Sequence, residues 1–245
     1  MHRLLVESAL LDEGSPVLPV AAARHLKVLR PKDGEEIELF DGKGKWRVYR
    51  FERSGLETAS PLRAQSNIRT IEQSNNSLTL FACVTKGSRW DWTIEKATEL
   101  GVTRIVPVIS ERTIVRIPKG ERAAKRERWM RIAEDAARQS DAKWLPEIRE
   151  AVDFRDALPL VRETTCFIGA LTTPPSPPLV RAIDQSTNRT IEHFSVFIGP
   201  EGDFTPEELA ALMEIATPTS FGPTILRAET AAIYAVSVLA ATLSA

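Results

Sequence analysis

The chain has 245 residues, of which 43% are hydrophobic and 27% charged, so it can bury a sizeable core in one or two domains. It contains two cysteines and three histidines, without metal-ligand spacing, and no apolar run reaches the ~18 residues of a membrane-spanning helix. The N-terminal segment also lacks the long apolar stretch of a secretory leader. Disulfide scaffolds, metal sites and membrane proteins are therefore not expected, and a reducing cytoplasm is the expected location.

The net charge is −1, but the charge is unevenly distributed along the chain. Residues 1–69 carry 12 Lys+Arg against 10 Asp+Glu, and residues 70–149 carry 15 against 11. Residues 150–245 carry 5 against 12. A polyanionic partner is therefore expected to meet the first two-thirds of the chain. The alternative is that solvated helices simply carry these basic residues.

Residues 1–70 are predicted to form a small domain of short strands. IELF, DGKG and WRVYRF follow one another over residues 37–51, and this order of alternating apolar positions around an Asp-Gly turn predicts a β-hairpin. Residues 64–77 are polar and poor in apolar side chains, which is typical of a linker. The second domain is predicted to span residues 78–245.

From residue 78 onwards, apolar strand-like runs alternate with helical patterns. Helices are predicted over residues 90–100, 121–139 and 229–243. Strands are predicted in the runs LTLFACV, VTRIVPVIS, TTCFIGAL and FSVFIGP. Such alternation predicts an α/β fold with a largely parallel sheet covered on both faces. Cys83 and Cys166 lie inside two of these runs and are expected to be small core residues.

Two Gly-Pro turns are the strongest candidates for a ligand-binding site. The first, Gly199–Gly202, connects a buried strand to a helix whose start has the capping-box pattern Thr205-Pro-Glu-Glu208. The second begins at Phe221 and leads into a helix with Arg227 and Glu229 at its entrance. Because ligands of open α/β sheets bind beyond the carboxyl ends of strands, the two turns are predicted to be adjacent walls of one pocket.

Each of these features also has a purely structural interpretation. A tight strand-to-helix turn often needs Gly and Pro without any ligand. Glu229 could merely complement the positive N-terminus of its helix and pair with Arg227. The basic stretch from Arg112 to Arg131 suits phosphate contacts, but any exposed helix can carry such residues.

Taken in order, the motifs resemble those of the ribosomal RNA small subunit methyltransferase E family, within the SPOUT superfamily of knotted methyltransferases. They extend over nearly the whole chain. The matching segments are RHLKVLR at 24–30, LFDG at 39–42, KGSR at 86–89, EKATELGV at 95–102, SER at 110–112, QS at 139–140, IGPEG at 198–202 and LRAETA at 226–231.

The resemblance implies a PUA-like RNA-binding β-barrel domain over residues 1–70 and a SPOUT α/β domain with a C-terminal deep trefoil knot over residues 78–245. It implies a homodimer that takes the methyl group of S-adenosyl-L-methionine and places it on N3 of a uridine in 16S rRNA of the small ribosomal subunit. Two alternatives stay open. The chain could be a related SPOUT enzyme that modifies another RNA position, or a non-catalytic RNA-binding assembly factor.

The resemblance also assigns site residues, by their position in the matching segments. Arg227 and Glu229 would be catalytic, Arg227 by stabilising charge on the uracil ring and Glu229 by orienting Arg227 or accepting a proton, with orientation favoured. The cofactor would be held by Leu171, Thr172, Ile198, Gly199, Pro200, Glu201, Gly202, Phe221, Gly222, Ile225, Leu226, Thr230 and Ala231. RNA would be bound by Arg24, His25, Arg30, Lys86, Arg89 and Arg112.

The sequence departs from the family pattern at three places. Asp203 stands where a second glycine is common, so a positive φ is expected to fall on a non-glycine residue. Asp141-Ala142 replaces a basic pair, which removes an expected contact to RNA or cofactor. The loop from Ala170 to Pro174 is less polar and richer in proline than is usual.

Overall fold

The computed structural model describes residues 1–53, 61–72, 75–161, 164–170, 172, 174–186 and 193–243. The chain forms two compact units. The first comprises Met1–Ser74 and Ala137–Leu145, and the second comprises Asn75–Ala136 and Pro146–Ala245. The first boundary falls within the predicted linker at 64–77. That residues 137–145 belong to the first unit was not anticipated from the sequence.

The first unit is built on a five-stranded sheet. Its strands are β1 (His2–Leu5), β2 (Glu36–Phe40), β3 (Lys45–Phe51), β4 (Leu62–Ala64) and β5 (Arg69–Thr70). Strand β1 pairs with β2 in parallel, and β3 pairs with β2, β4 and β5 in antiparallel fashion. Part of the predicted linker is thus strand, because β5 pairs with the hairpin. Helix α1 (Val20–Leu29) packs against β1, and a 3₁₀ turn spans Ser8–Asp12.

The predicted hairpin is β2 and β3, with Phe40 opposite Trp46. Gly42 and Gly44 in its turn have φ of 68° and 91°, a region that glycine enters without steric cost. A Cβ on Gly44 would come within 2.6 Å of the Trp144 ring, so this turn accepts only glycine where residues 137–145 pack on it.

Residues 137–145 are tied to the first unit by a buried arginine. Arg3 Nε donates to Glu38 Oε1 at 2.8 Å, and its Nη1 and Nη2 donate to the carbonyls of Ala137 (2.6 Å) and Ala142 (3.0 Å). Lys143 Nζ also donates to Glu38 Oε1 at 2.6 Å. A buried carboxylate shared by two cations in this way fixes the segment on β1 and β2.

The second unit is an α/β domain around a seven-stranded sheet. The strand order is β12-β10-β11-β6-β7-β8, with β9 pairing with β7, and every pairing is parallel. The strands are β6 (Ser77–Cys83), β7 (Arg104–Ile109), β8 (Glu147–Ile148), β9 (Val152–Asp153), β10 (Thr165–Gly169), β11 (His193–Ile198) and β12 (Thr217–Thr219). The predicted parallel sheet is therefore confirmed.

Six helices accompany this sheet among the described residues. They are α2 (Ser88–Glu99), α3 (Arg122–Gln139), α4 (Phe154–Ala157), α5 (Leu179–Ser186), α6 (Pro206–Met213) and α7 (Ala228–Leu243). Helices α2, α3 and α7 lie where the sequence predicts them, within two residues at each end. The division between the units falls inside α3, between residues 136 and 137. Short 3₁₀ turns occupy Lys119–Glu121 and Leu158–Leu160.

Side chains of the central strands alternate between two apolar cores. On β6, Leu80 and Ala82 belong to the larger cluster, which includes residues of α2, α3, α5 and α7, whereas Phe81 and Cys83 belong to the smaller one. Such burial on both faces is expected of a parallel sheet. Cys83 and Cys166 are buried free thiols of the smaller core, as predicted. Within the described residues, no helix is both long and apolar enough to cross a membrane.

Candidate active site

A cavity of about 330 Å³ lies at the carboxyl ends of β10, β11 and β12, which are neighbours in the sheet. Both predicted Gly-Pro turns line it, so the expectation that they form walls of one pocket is correct. The predicted residues in its wall are Ile198, Gly199, Pro200, Glu201, Phe221, Gly222, Ile225, Leu226, Arg227 and Ala231.

Other predicted positions fall elsewhere. Gly202, Thr172 and Thr230 are not among the residues that line the cavity, and Leu171 lies outside the described residues. The Thr172 hydroxyl instead hydrogen-bonds to Pro174 O (2.8 Å) and Ser176 Oγ (2.7 Å). The wall also contains Gly169, Ala170, Asp203, Thr219, Ser220, Thr224 and Ala228. Of these, Ala170, Asp203, Thr224 and Ala228 lie in segments singled out in the sequence, whereas Thr219 and Ser220 do not.

The first wall is formed by residues 199–205, which we call the cofactor loop after the role that we propose for it. Asp203 N donates to Pro200 O at 2.9 Å, which closes a tight turn. Asp203 has φ of 61°, so the departure from glycine does place a non-glycine residue in the left-handed region. Its Oδ1 accepts from Phe204 N at 2.8 Å, the kind of local bond that lets Asp tolerate this conformation. The predicted capping box, Thr205 with Glu208, then starts α6.

The second wall runs from β12 to the start of α7. Thr219 Oγ1 donates to Ile168 O at 3.1 Å, and Ala170 N donates to Thr219 O at 3.1 Å, which joins the ends of β10 and β12. Ser220 Oγ accepts from Gly222 N at 3.3 Å, and Gly222 has φ of 132°. The chain can therefore turn sharply past the pocket before α7 begins.

A ring contact closes the floor between these walls. The Phe221 ring packs 5.6 Å from the Tyr234 ring of α7. Phe221 also covers the end of β10, since a Cβ on Gly169 would lie 2.3 Å from its ring. The absence of a side chain at Gly169 is thus what lets this aromatic ring reach the sheet.

The two predicted catalytic residues have different surroundings. Arg227 is exposed at the cavity edge, where its carbonyl accepts from Ala231 N at 2.8 Å. Glu229 is only 8% exposed in the first turn of α7, and its Oε2 has no hydrogen-bond partner among the described residues. Within the described residues, the Arg227 and Glu229 side chains form no ion pair with each other. Burying a carboxylate oxygen without a hydrogen-bond partner is unfavourable. Oε2 of Glu229 can therefore gain stabilisation by accepting a hydrogen bond from a bound molecule or from a side chain that moves.

The predicted RNA-binding residues of the first unit lie on or beside α1. Arg24 is exposed between Val20 and Val28, which are 76% and 72% exposed. Arg30 ends the helix in the left-handed conformation, with φ of 49°. Partial burial, with Arg138 and His2 nearby, lowers the pKa of His25. Near neutral pH His25 therefore acts as a neutral hydrogen-bonding group rather than as a cation.

The remaining predicted RNA contacts belong to the second unit. Lys86 is exposed just before α2. Arg89 Nη1 lies 3.0 Å from Glu201 Oε1, and both side chains are partly exposed. Arg112 Nη1 donates to the carbonyls of Gly202 (3.0 Å) and Phe204 (3.4 Å). The two arginines therefore reach the cofactor loop itself, a connection that the spacing of the sequence did not reveal.

A second cavity, of about 470 Å³, lies at the opposite end of the sheet, where β6, β7 and β11 begin. Its polar side chains largely satisfy one another, because Ser77 Oγ bonds His193 Nδ1 (2.9 Å) and Thr164 Oγ1 bonds Ser195 Oγ (2.7 Å). Among the described residues, no three His, Cys, Asp or Glu side chains lie close enough together to hold a metal ion. The chemistry is better placed at the first cavity, at the carboxyl end of the sheet.

Comparison with known proteins fits this arrangement. The RNA methyltransferase domain family matches residues 72–240, and the RNA methyltransferase PUA domain family matches residues 18–59. The chain is also 30% identical over 235 residues to a ribosomal RNA small subunit methyltransferase E of Synechocystis, covering 94% of this chain and 74% of that protein. The chain belongs to this family.

Two solved structures extend the likeness to the methyltransferase E fold. A small subunit methyltransferase E of Neisseria gonorrhoeae, bound to S-adenosyl methionine, has a TM-score of 0.82 at 29% identity, covering 99% of this chain and 98% of that one. A putative methyltransferase of Legionella pneumophila, in complex with S-adenosylmethionine, has a TM-score of 0.82 at 28% identity, covering 98% and 96%. The predicted family, enzyme class, PUA-like unit and SPOUT-type α/β unit are confirmed.

Proposed function

We propose that this methyltransferase E chain transfers the methyl group of S-adenosyl-L-methionine to N3 of a uridine in the 16S rRNA of the small ribosomal subunit. The observation that carries the proposal is the single cavity between the cofactor loop and the turn from Phe221 to Arg227. Membership of the family supports both the reaction and the class of RNA.

The residues of the cavity fit the cofactor. Its volume of about 330 Å³ is within the range of small-molecule sites. Ile198, Leu226 and Ala231 offer apolar surface to an adenine ring, while Gly199 and Gly222 leave backbone groups accessible to polar atoms. Ile225 lines the cavity although it is 80% exposed, so a bound ligand would cover it. When bound, S-adenosylmethionine supplies an electrophilic methyl group to an attacking ring nitrogen.

The path of the chain supports the proposed trefoil knot. Strand β12 forms the edge of the sheet beside β10, yet α7 packs against β6 and β11 in its middle. Residues 220–227 must therefore carry the chain back across the strand ends, and these residues also line the cavity. A knot at this place would hold the cofactor loops together without a disulfide.

RNA binding is proposed for the exposed basic residues of both units. In the first unit the candidates are Arg24, His25 and Arg30, beside the exposed valines of α1. In the second unit they are Lys86 and Arg89. Guanidinium and ammonium groups bind phosphate oxygens, and such contacts position RNA without reading its sequence.

A homodimer acting in the cytoplasm is also proposed. Helix α7 is apolar around most of its circumference, and Ile233, Tyr234 and Val238 on it are only half-buried. A helix that is apolar around its circumference is normally buried by protein on every side. A second copy of the chain would bury the side of α7 that this copy leaves partly exposed. Light scattering of the purified chain would give twice the monomer mass of 27.2 kDa.

In the proposed mechanism, Arg227 stabilises negative charge that develops on the uracil carbonyl oxygens as N3 loses its proton. A guanidinium can donate two hydrogen bonds without losing its own charge, and an exposed position at the cavity edge suits contact with RNA. Glu229 either orients Arg227 once RNA is bound or accepts the proton. Its unpartnered Oε2 is compatible with both roles.

The test is to identify the methylated nucleoside. Small subunits from cells lacking this protein are incubated with the purified enzyme and S-adenosylmethionine, and their rRNA is digested for mass spectrometry. The expected product is 3-methyluridine. A ribose-methylated nucleoside would assign the chain to another RNA position, and calorimetry without any cofactor binding would make it a non-catalytic binder.

A further inference from the structure

The loop that follows β7, residues 110–113, is joined to the cofactor loop and to the helix after it by three hydrogen bonds. Arg112 Nη1 donates to Gly202 O at 3.0 Å and to Phe204 O at 3.4 Å. Glu111 N donates to Glu208 Oε1 at 2.9 Å. Residues far apart in the chain, on two different strand ends, are therefore held against each other.

The aliphatic part of Arg112 also packs beside Gly202. A Cβ on Gly202 would lie 3.6 Å from Arg112 Cβ and 3.7 Å from its Cδ, so the aliphatic part of Arg112 lies directly over this glycine. The guanidinium beyond it is charged, and charge-assisted hydrogen bonds to carbonyls are stronger than neutral ones.

Arg112 extends from a turn that is itself rigid. Ser110 and Thr113 are both 1% exposed and bond each other, with Ser110 N donating to Thr113 Oγ1 at 2.9 Å. Arg116 Nη1 and Nη2 donate to the carbonyls of Ser110 (3.2 Å) and Glu111 (2.6 Å). This order fixes the direction from which Arg112 reaches the cofactor loop.

Glu208 provides the second point of attachment. Its Oε2 accepts from Thr205 N at 3.1 Å in the capping box, and its Oε1 accepts from Glu111 N. One carboxylate thus fixes the start of α6 and the loop after β7 together. The capping-box residue Glu208 therefore also attaches α6 to the loop after β7.

Within the first attachment the cofactor loop contains a non-glycine residue with positive φ. Asp203 has φ of 61°, and a non-glycine residue in this region costs roughly 1 kcal/mol or more unless its surroundings hold it. The carbonyls that Arg112 binds belong to the residues on either side of Asp203. Arg112 therefore holds the loop on both sides of Asp203 and adds to the support that the Asp203 side chain gives by accepting from Phe204 N.

We propose that Arg112 and Glu208 are positioning residues for S-adenosylmethionine, which hold the cofactor loop in the conformation that binds it. The inference rests on the proposed function, because it takes the cavity to be the cofactor site. It gives Arg112 a role different from the RNA-phosphate contact expected from the sequence.

The test measures cofactor binding without RNA, by calorimetric titration of S-adenosylmethionine into the full-length protein. Arg112→Gln and Glu208→Gln remove one attachment each. Arg155→Gln is the matched control, because it removes the same charge from an exposed site on α4 that makes no hydrogen bond or ion pair with the described residues. The expected Kd rises at least about tenfold in Arg112→Gln and more than about threefold in Glu208→Gln, and is unchanged in the control. Failure of the wild-type protein to bind would instead overturn the proposed function.

Salt dependence of RNA binding separates positioning from a phosphate contact. The slope of log K against log salt for small-subunit RNA should be the same in Arg112→Gln as in Arg155→Gln. If Arg112→Gln lowers this slope by about one more than the control and keeps the Kd for S-adenosylmethionine within twofold, Arg112 is an RNA contact and the proposal is wrong.

Glu208→Gln keeps the proposal testable if Arg112→Gln folds poorly, and a double variant tests the link between Arg112 and Asp203. Asp203→Gly relieves the strain that Arg112 is proposed to hold, so it should reduce the effect of losing Arg112. The Kd of Arg112→Gln/Asp203→Gly should be at least about threefold lower than the two single effects predict together. Independent, multiplicative effects in this cycle would contradict the proposed positioning role.

Discussion

Phe221 lies in the space that a side chain at Gly169 would occupy. A Cβ built on Gly169 would come within 2.3 Å of the Phe221 ring, closer than side chains approach one another. The end of β10 and the turn after β12 are thus fitted to each other across the floor of the cofactor cavity. This relationship leads to the first prediction.

Gly169→Ala should displace Phe221 and weaken cofactor binding. We expect the Kd for S-adenosylmethionine to rise at least about tenfold, with a loss of roughly 1–3 kcal/mol in the free energy of unfolding from overpacking. Calorimetry and chemical denaturation measure the two effects. Gly120→Ala is the control, because a Cβ there has no neighbour within 4 Å. A Gly169→Ala protein that binds the cofactor as tightly as the wild type would show that the ring is not part of the site.

Arg227→Ala should slow methyl transfer without weakening cofactor binding. The side chain is exposed at the cavity edge and is proposed to act on the uracil ring. We expect kcat on small subunits to fall at least about tenfold, a loss of ~1.4 kcal/mol or more in transition-state stabilisation. The Kd for S-adenosylmethionine should stay within about threefold. Turnover within tenfold of the wild type would remove Arg227 from the mechanism.

Glu229→Gln should separate catalysis from stability. The amide keeps the shape of this buried side chain but removes a charge whose Oε2 has no partner among the described residues. We therefore expect the melting temperature to stay the same or rise, while kcat falls at least about tenfold. If the variant melts lower and turns over normally, Glu229 only complements the N-terminus of α7.

The buried thiols predict a loss of stability at high pH. Burial raises the pKa of Cys83 to about 11 and that of Cys166 to about 11, from an ordinary value of 9.0. Below pH 9 both states hold neutral thiols, and above it the unfolded state ionises first. Stability is therefore lost between pH 9 and 11, by at most about 3 kcal/mol for each thiol.

The measurement is the free energy of unfolding against pH for the wild type and for a Cys83→Ala/Cys166→Ala double variant. Other titrating groups are common to both proteins, so the difference isolates the thiols. The double variant should lose less stability above pH 9. Equal slopes in the two proteins would show that the thiols ionise as readily when folded.

Arg3→Met should destabilise the first unit. Glu38 is 2% exposed, and Arg3 is one of the two cations that neutralise it. Losing the sole partner of a buried charge costs roughly 3–5 kcal/mol; because Lys143 remains beside Glu38, the loss from the ion pair should lie below that range, and the carbonyls of Ala137 and Ala142 lose their donor as well. Hydrogen exchange should show faster exchange in residues 137–145. Arg63→Met, which breaks an exposed pair with Glu52, should change stability by less than about 1 kcal/mol.

Much of the second unit follows from local patterns in the sequence. Buried apolar runs predict β6, β7, β10 and β11, and the Gly-Pro turns predict two walls of the cavity. The positive φ of Asp203 also follows from a position where glycine is usual. These features depend on residues close together in the chain, which is why the sequence reveals them.

Features that depend on contacts between residues far apart in the sequence could not be predicted from local patterns. The three residues of β12 are strand because they pair with β10, which lies about fifty positions earlier. The hydrogen bonds of Arg112 to the cofactor loop span ninety positions or more. The sequence does not distinguish a basic loop residue that binds RNA from one that donates a hydrogen bond to a backbone carbonyl of a neighbouring loop.

The discontinuity of the first unit bears on how the chain can fold as it is synthesised. An N-terminal domain usually folds as soon as it leaves the ribosome. Here Arg3 and the Gly44 turn have partners at residues 137–145, which emerge only after β6, β7 and most of α3. The N-terminal strands therefore stay incompletely packed until more than a third of the second unit has been made.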